Sequence, residues 1–332
     1  MKRLFLAVVL MVHAVFGAAP SLAQGSDTPR PFQRSDGKWG YVDGEHCWAI
    51  EAAFDSASRF VDNRATARVG DRFKVIDATG REVISLRDNG PVDSAFSEGL
   101  LAVTSGAAQA FIDVSGRMAF EERFEAVQSF SEGLAAVKRG GQWGFIDRSG
   151  RISISPQFDD AYPFHNGLAT IKIGNRWGYI DRFGKIVIRP QFDVADTFRE
   201  PLTRVWMAGR NFFINRTGQL GISTGFEAAL WFTEGLAAVR VERRWGYINR
   251  TGAFVIRPQF DDAWEFSEEL ARVKISGYWG YINLRGNMVI RNIFTEAGSF
   301  QQGFARVRLG NRYLTLDRTG RVLLDPTCSA PR

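Results

Sequence analysis

Trp177-Gly178-Tyr179-Ile180-Asp181-Arg182-Phe183-Gly184-Lys185-Ile186-Val187-Ile188-Arg189-Pro190-Gln191-Phe192-Asp193 is the stretch from which the fold can be read. Trp177, Tyr179 and Asp181 alternate with Gly178 and Ile180, the period-two signature of a strand. Asp181 to Gly184 is a turn: the Asp side chain bonds its own backbone, and Gly takes the positive-φ position of a bulged hairpin. Ile186 to Ile188 is a second, β-branched strand. Pro190 is expected to end it, since proline donates nothing to a ladder. Gln191 to Ala195, with Phe198 beyond, is read as a short third strand or a structured loop. In a later copy Glu234-Gly235-Leu236 turns into a strand where Ala237, Val239 and Val241 face one way and Ala238 and Arg240 the other. A two-residue loop such as Gly174-Asn175 joins that strand to the next Trp-Gly strand. The glycine of Trp-Gly is expected to admit a neighbouring ring or backbone at close range.

The stretch recurs. Trp-Gly stands at 39, 143, 177, 245 and 279, and degenerate forms fill the gaps at Phe73, Gln109, Asn211 and Tyr313. An Asp or Asn follows four residues on, at Asp43, Asp77, Asp113, Asp147, Asp181, Asn215, Asn249, Asn283 and Asp317. Every step is 34 residues except one of 36, between Asp77 and Asp113. A unit this small cannot bury its apolar face alone, so the copies must stack into one continuous core.

On these residues the chain resembles the WG repeat, also called the KWG repeat, over residues 38 to about 326. The resemblance implies an all-β repeat protein and no common activity. The organisation read from the chain is residues 1–23 as a signal peptide, 24–37 as a linker, 38–326 as nine repeats in one domain, and 327–332 as a tail. The fold expected is all-β, with tandem 34-residue hairpin or meander units stacked as an open superhelical, solenoid-like array. The alternative is a closed β-propeller. Both ends carry the same hairpin, at Trp39 and at Tyr313, which favours capped, separate ends. Cys47 and Cys328 near the ends of equivalent hairpins favour a ring. They are read as one disulfide in an oxidising compartment or as free thiols.

Lys2 and Arg3, the apolar run Leu4 to Phe16 and the small residues Ser21-Leu22-Ala23 form a secretory signal, cut after Ala23. The mature chain is therefore expected in the periplasm or outside the cell. No later run is long and apolar enough to span a bilayer. Cleavage lowers the formal net charge from +6 to +4, with both signs interleaved along the chain. No Lys/Arg cluster exists to grip nucleic acid.

Candidate chemistry is sparse. Asp159-Asp160 and Asp261-Asp262 are paired carboxylates, but they recur with the unit and suit turns better than calcium. His46 and His165 lie in different units without zinc spacing. No P-loop, nucleophile elbow or dinucleotide fingerprint is present, so no catalytic residue, metal or cofactor is assigned. The periodic Trp39, Trp143, Trp177, Trp245 and Trp279 are expected in the core, carrying stability and not binding. Trp231, Trp264 and Trp206 fall off the pattern, as Trp48 also does. Function is added to a scaffold at such positions, so these three are the candidate ligand-binding residues, with Trp231 and Trp264 first. The function expected is a non-catalytic exported scaffold binding protein or envelope glycan. The alternatives are an envelope glycan hydrolase and an architectural spacer.

Overall fold

The computed structural model describes residues 28–86, 90–92, 95–326 and 328. The signal peptide and its cleavage point lie outside the described residues. All regular structure within them is β-strand. One unit serves for all. Asp160–Ala161, Leu168–Ile173, Arg176–Asp181 and Ile186–Phe192 form a four-stranded antiparallel meander in chain order. Seven sheets have this form, a three-stranded sheet precedes them at the N-terminus, and Leu100–Ser105 pairs with Ala108–Asp113 in a ninth. No sheet closes into a barrel.

The turn chemistry is local. The Asp181 carbonyl accepts from Gly184 N at 3.0 Å, and its Oδ1 accepts from the backbone N–H groups of Phe183 and Lys185, both at 2.9 Å. Gly184 has φ 80°. Only one side-chain oxygen is used, so Asn serves equally well: Asn215 Oδ1 accepts from Thr217 and Gln219 at 3.0 Å. Asp181→Asn is therefore expected to stay within about 0.5 kcal/mol of the parent. Asp181→Ala strips both bonds and should cost about 1–2 kcal/mol. Denaturant midpoints compare the two, and equal losses would refute this account of the turn.

The glycine after tryptophan is required by backbone proximity. A Cβ on Gly178 would stand 2.5 Å from Ile188 O and 2.6 Å from Pro190 N. The fourth strand bulges there, since Trp177 pairs with Phe192 and Tyr179 with Ile188 across a register shift. This corrects the expected end at Pro190. The strand runs on to Phe192, because proline sits at a bulge on the outermost strand, where its missing N–H leaves no ladder partner unpaired.

In Leu134–Arg139, Leu168–Ile173 and Leu236–Val241 the second strand is buried on both faces, because each sheet is sandwiched between two others. Leu168 packs toward the following sheet, and Ala169 and Ile171 toward the preceding one. One set of wholly buried rings lies two residues after the repeat's tryptophan position, which Asn211 fills in one copy. They include Tyr41, Phe145, Tyr179, Phe213, Tyr247 and Tyr281, each with no exposure. Tyr179 Oη donates to Asp196 O of the next unit at 2.7 Å. Burial pushes its phenol far above the ordinary tyrosine range. Of the periodic tryptophans, Trp177 is buried. Trp39, Trp143, Trp245 and Trp279 are half-buried and lean on the core clusters from outside.

The ends of the stack meet, which corrects the expectation of separate ends. Nine sheets in an open row would share eight interfaces. Nine apolar clusters are present among the described residues. The ninth packs Phe32, Val42, Trp48 and Ala52 of the first sheet against Phe304 of the last. Cys47 and Cys328 are disulfide-bonded with Cα atoms 5.0 Å apart. Trp48 N donates to Cys328 O at 2.9 Å, and Ser35 N donates to Asp325 at 3.0 Å. The units thus close as a β-propeller, a ring of antiparallel sheets. Arg30–Gln33, read above as linker, is the first strand and pairs with Trp39–Val42. It carries no repeat motif, and only its partner reveals it.

Candidate functional site

One loop departs from the repeat, and a cleft opens there. Elsewhere the chain enters the second strand through a two-residue turn with both central residues at positive φ. Examples are Glu132 (56°) with Gly133 (79°), Asn166 (52°) with Gly167 (77°), and Glu234 (51°) with Gly235 (85°). The flanking residues bridge, as in Ser131 with Leu134 and His165 with Leu168. The equivalent segment in the unit after Asp193 is Arg199-Glu200-Pro201-Leu202. Proline is fixed near φ −65°, so Pro201 cannot take the conformation of Gly133 or Gly167. Arg199 N donates instead to Thr197 O at 3.0 Å. Leu134, Leu168, Leu236 and Leu270 are buried, whereas Leu202 is displaced and half-exposed. It lies over Gly221, where a Cβ would collide with it. Three other copies have valine at that position, Val187, Val255 and Val289.

The turn's acid is also redirected. In regular copies it holds the next turn around the ring: Glu132 accepts from Gly167 N at 2.9 Å, and Glu268 from Gly303 N at 2.8 Å. Pro201 has no N–H to offer, and Asn166 Nδ2 donates to Phe198 O at 3.0 Å instead. Glu200 pairs with Arg250.

The resulting cleft has a volume of about 380 Å³ and is drawn from three consecutive units. Tyr162, Pro163 and His165 come from the first, Val194 to Thr203 from the second, and Trp231 and Phe232 from the third. Tyr162 and Trp231 are each 41% exposed. Trp177 forms part of the wall and stacks on Tyr162, with centroids 5.3 Å apart and planes at 21°. A residue assigned to stability alone thus also supports a ring that lines the cleft. Asp196 is held by Arg204, with Nε to Oδ2 at 2.7 Å. The Arg199 guanidinium makes no hydrogen bond or ion pair among the described residues. Burial, and then the Arg199 charge, hold the His165 imidazole below its ordinary pKa against the opposing pull of Glu132.

The three candidate tryptophans are not brought together. Trp231 lines the cleft. Trp206 lines an adjoining depression with Val194, Arg204 and Asn211. Trp264 is 39% exposed but stands apart, with Arg272 over its ring 4.1 Å from the centroid. The paired acids are engaged: Asp159 accepts from Gly174 N at 2.6 Å, and Asp261 pairs with Arg244. No group of three or more His, Cys, Asp or Glu converges as a metal site among the described residues. No helix among them is long and apolar enough to cross a membrane. Sequence reading missed Tyr162, His165 and Arg199; Pro201 in place of glycine was the available signal.

The family model of the WG containing repeat matches residues 39–73, 110–143, 143–177, 177–206, 212–244, 245–279 and 279–313, more than half of the chain. A search of curated proteins finds no match in sequence. Among solved structures, the chain is similar to one titled "Crystal structure of the eukaryotic initiation factor", with TM-score 0.60 and 12% identity over 90% of this chain and 95% of that one. At this identity the likeness shows the fold alone. A dihydro-heme d1 dehydrogenase NirN gives TM-score 0.44 at 11% identity, over 81% of this chain and 74% of that one. Kluyveromyces lactis Hsv2 gives 0.39 at 9%, over 69% and 93%.

Proposed function

From the premise that this chain belongs to the WG containing repeat family, we propose that it is a non-catalytic exported ring that binds envelope glycan in the cleft where the repeat is broken. The observation that carries this is the pair of half-exposed rings, Tyr162 and Trp231, in a cleft produced by Pro201. Aromatic faces of this kind stack on the C–H faces of sugars and keep a polar edge toward water. The regular units supply a rigid frame, and the irregular one supplies the site.

Two further observations support the reading. The acids best placed to act as a catalytic pair are occupied in holding turns and arginines, which favours binding over hydrolysis. The disulfide between Cys47 and Cys328 suits an oxidising compartment, in keeping with the basic and apolar N-terminus. Both features support the reading of a periplasmic or extracellular protein.

Titration with peptidoglycan fragments and envelope polysaccharides should quench or shift indole fluorescence. Trp231→Ala should weaken binding about tenfold, the size of one stacked aromatic contact, without moving the melting curve. Unchanged affinity in that variant would remove the cleft from the proposal. Release of reducing ends during the incubation would overturn the non-catalytic reading.

A further inference from the structure

We infer that the cleft selects a glycan whose sugar carries a carboxylate, with Arg199 as the residue that binds the acid. This rests on the glycan reading above and goes beyond it to the ligand's charge. The argument is one of local charge complementarity. The lining contains two acids, Asp196 and Glu200, and each is paired with an arginine, Arg204 and Arg250, that does not itself line the cleft. Arg199 also lines it and makes no ion pair or hydrogen bond among the described residues. The cleft thus presents one uncompensated positive charge beside two aromatic faces.

A guanidinium presents parallel N–H donors that match a carboxylate in a bidentate pair. A carboxylate attached to a sugar ring lies one bond from the ring, so stacking and pairing can be made by the same residue. The same proline that opens the cleft changes the backbone that carries Arg199. In the regular turn, the residue at position 199 is locked in a bridge with the residue at 202, as His165 is with Leu168. Pro201 removes that bridge. At about 380 Å³ the cleft is near the lower end of small-ligand sites, roughly 300–1,000 Å³, which suits a short segment of glycan.

His165 adds a dependence on pH. Burial and the Arg199 charge favour its neutral form against the pull of Glu132. The charged groups around it are Glu132 and Arg199, with Asp196 and Glu200 also lining the cleft. A bound anion favours the protonated imidazole. Affinity for a carboxylated sugar should therefore rise as pH falls below the ordinary imidazole range, and affinity for a neutral sugar should change less.

The test uses the mature protein with trigalacturonate, a glucuronate oligomer and a muramic-acid-containing disaccharide. Each is compared with its neutral counterpart built from galactose, glucose or N-acetylglucosamine. An acidic peptide, hexaglutamate, is run alongside. At least one carboxylated sugar should bind tenfold or more tightly than its counterpart. Arg199→Gln should abolish that difference, so that each carboxylated sugar binds no more tightly than its neutral counterpart, as loss of a charge-assisted hydrogen bond predicts. Pro201→Gly restores the sequence of the regular turn, and it should weaken all sugar binding while the melting temperature holds or rises. Equal affinity for acidic and neutral sugars would overturn the inference and leave the glycan reading standing. Binding of hexaglutamate alone would overturn both and mark the cleft as a protein-docking site. No binding by any probe would likewise defeat both.

Discussion

Replacing both Cys47 and Cys328 with serine is expected to lower the stability of the ring by about 5 kcal/mol. The bond joins residues 281 apart. In the chain-entropy account a cross-link stabilises by confining the unfolded chain, and the gain grows with the logarithm of the loop, to about 5 kcal/mol for loops of more than a hundred residues. The contacts at the seam are modest by comparison. They comprise one apolar cluster centred on Phe32 and Trp48, the Phe32–Phe304 ring contact at 5.7 Å, and a few hydrogen bonds. Without the bond, each unit still leans on its neighbours, so loss should begin at the seam. Hydrogen exchange should show Arg30–Phe54 and Phe304–Leu323 losing protection before Leu168–Phe192. A double variant with the parent's denaturant midpoint would mean that the seam holds by packing alone.

The second large effect belongs to Phe145, not to the neighbouring Trp143 of the repeat signature. Phe145 is fully buried between two sheets, and its ring meets Phe164 edge-on at 4.9 Å. Phe145→Ala should cost about 3–5 kcal/mol, the usual loss for a core aromatic cut to alanine. Trp143 is half-exposed and keeps part of its surface in water either way, so Trp143→Ala should cost less. Trp177→Ala should fall closer to the Phe145 value, because Trp177 is only 9% exposed and carries Tyr162 on its face. Urea melts of the three variants give the order directly. If Trp143→Ala were the most damaging of the three, the two-residue offset between signature and core would be wrong.

Much of the unit was legible because its causes are local. The alternation from Trp177 to Asp181, the Asx turn closed by Gly184 and the glycine at 178 each have a physical reason within a few residues. The period then forced the units to stack. Closure left its mark in the sequence only as the pair Cys47 and Cys328, since Phe32 and Phe304 are 272 positions apart and no local pattern records their contact. The strand through Pro190 was missed because a proline rule for inner strands was applied to an edge. At the site, attention to off-pattern tryptophans led to Trp231, which lines the cleft, and to Trp264, which does not. A comparison of turn glycines along the repeat would have picked out Pro201, and with it Arg199 and the displaced Leu202. The departure that matters there is one of backbone geometry, and large side chains are only its lining.

The seam also bears on where the polypeptide can begin. Arg30 and Cys328 lie on adjoining units, and Arg30 Nη1 reaches Gln302 O at 2.9 Å, so a short peptide could join the two ends. Six junctions between units are single residues between adjacent strands, such as Asp159 between Ile152–Phe158 and Asp160–Ala161, and Asp193 between Ile186–Phe192 and Val194–Ala195. Circular permutants cut at these junctions should therefore fold to the same ring. In the natural order, all inter-sheet packing except one interface joins segments adjacent in sequence and can form as each unit emerges from the ribosome. The first sheet alone must wait for its second neighbour until the last has been made. Synthesis leaves one half of that sheet's apolar surface open throughout, and a permutant that moves the cut transfers this exposure to whichever unit is translated first.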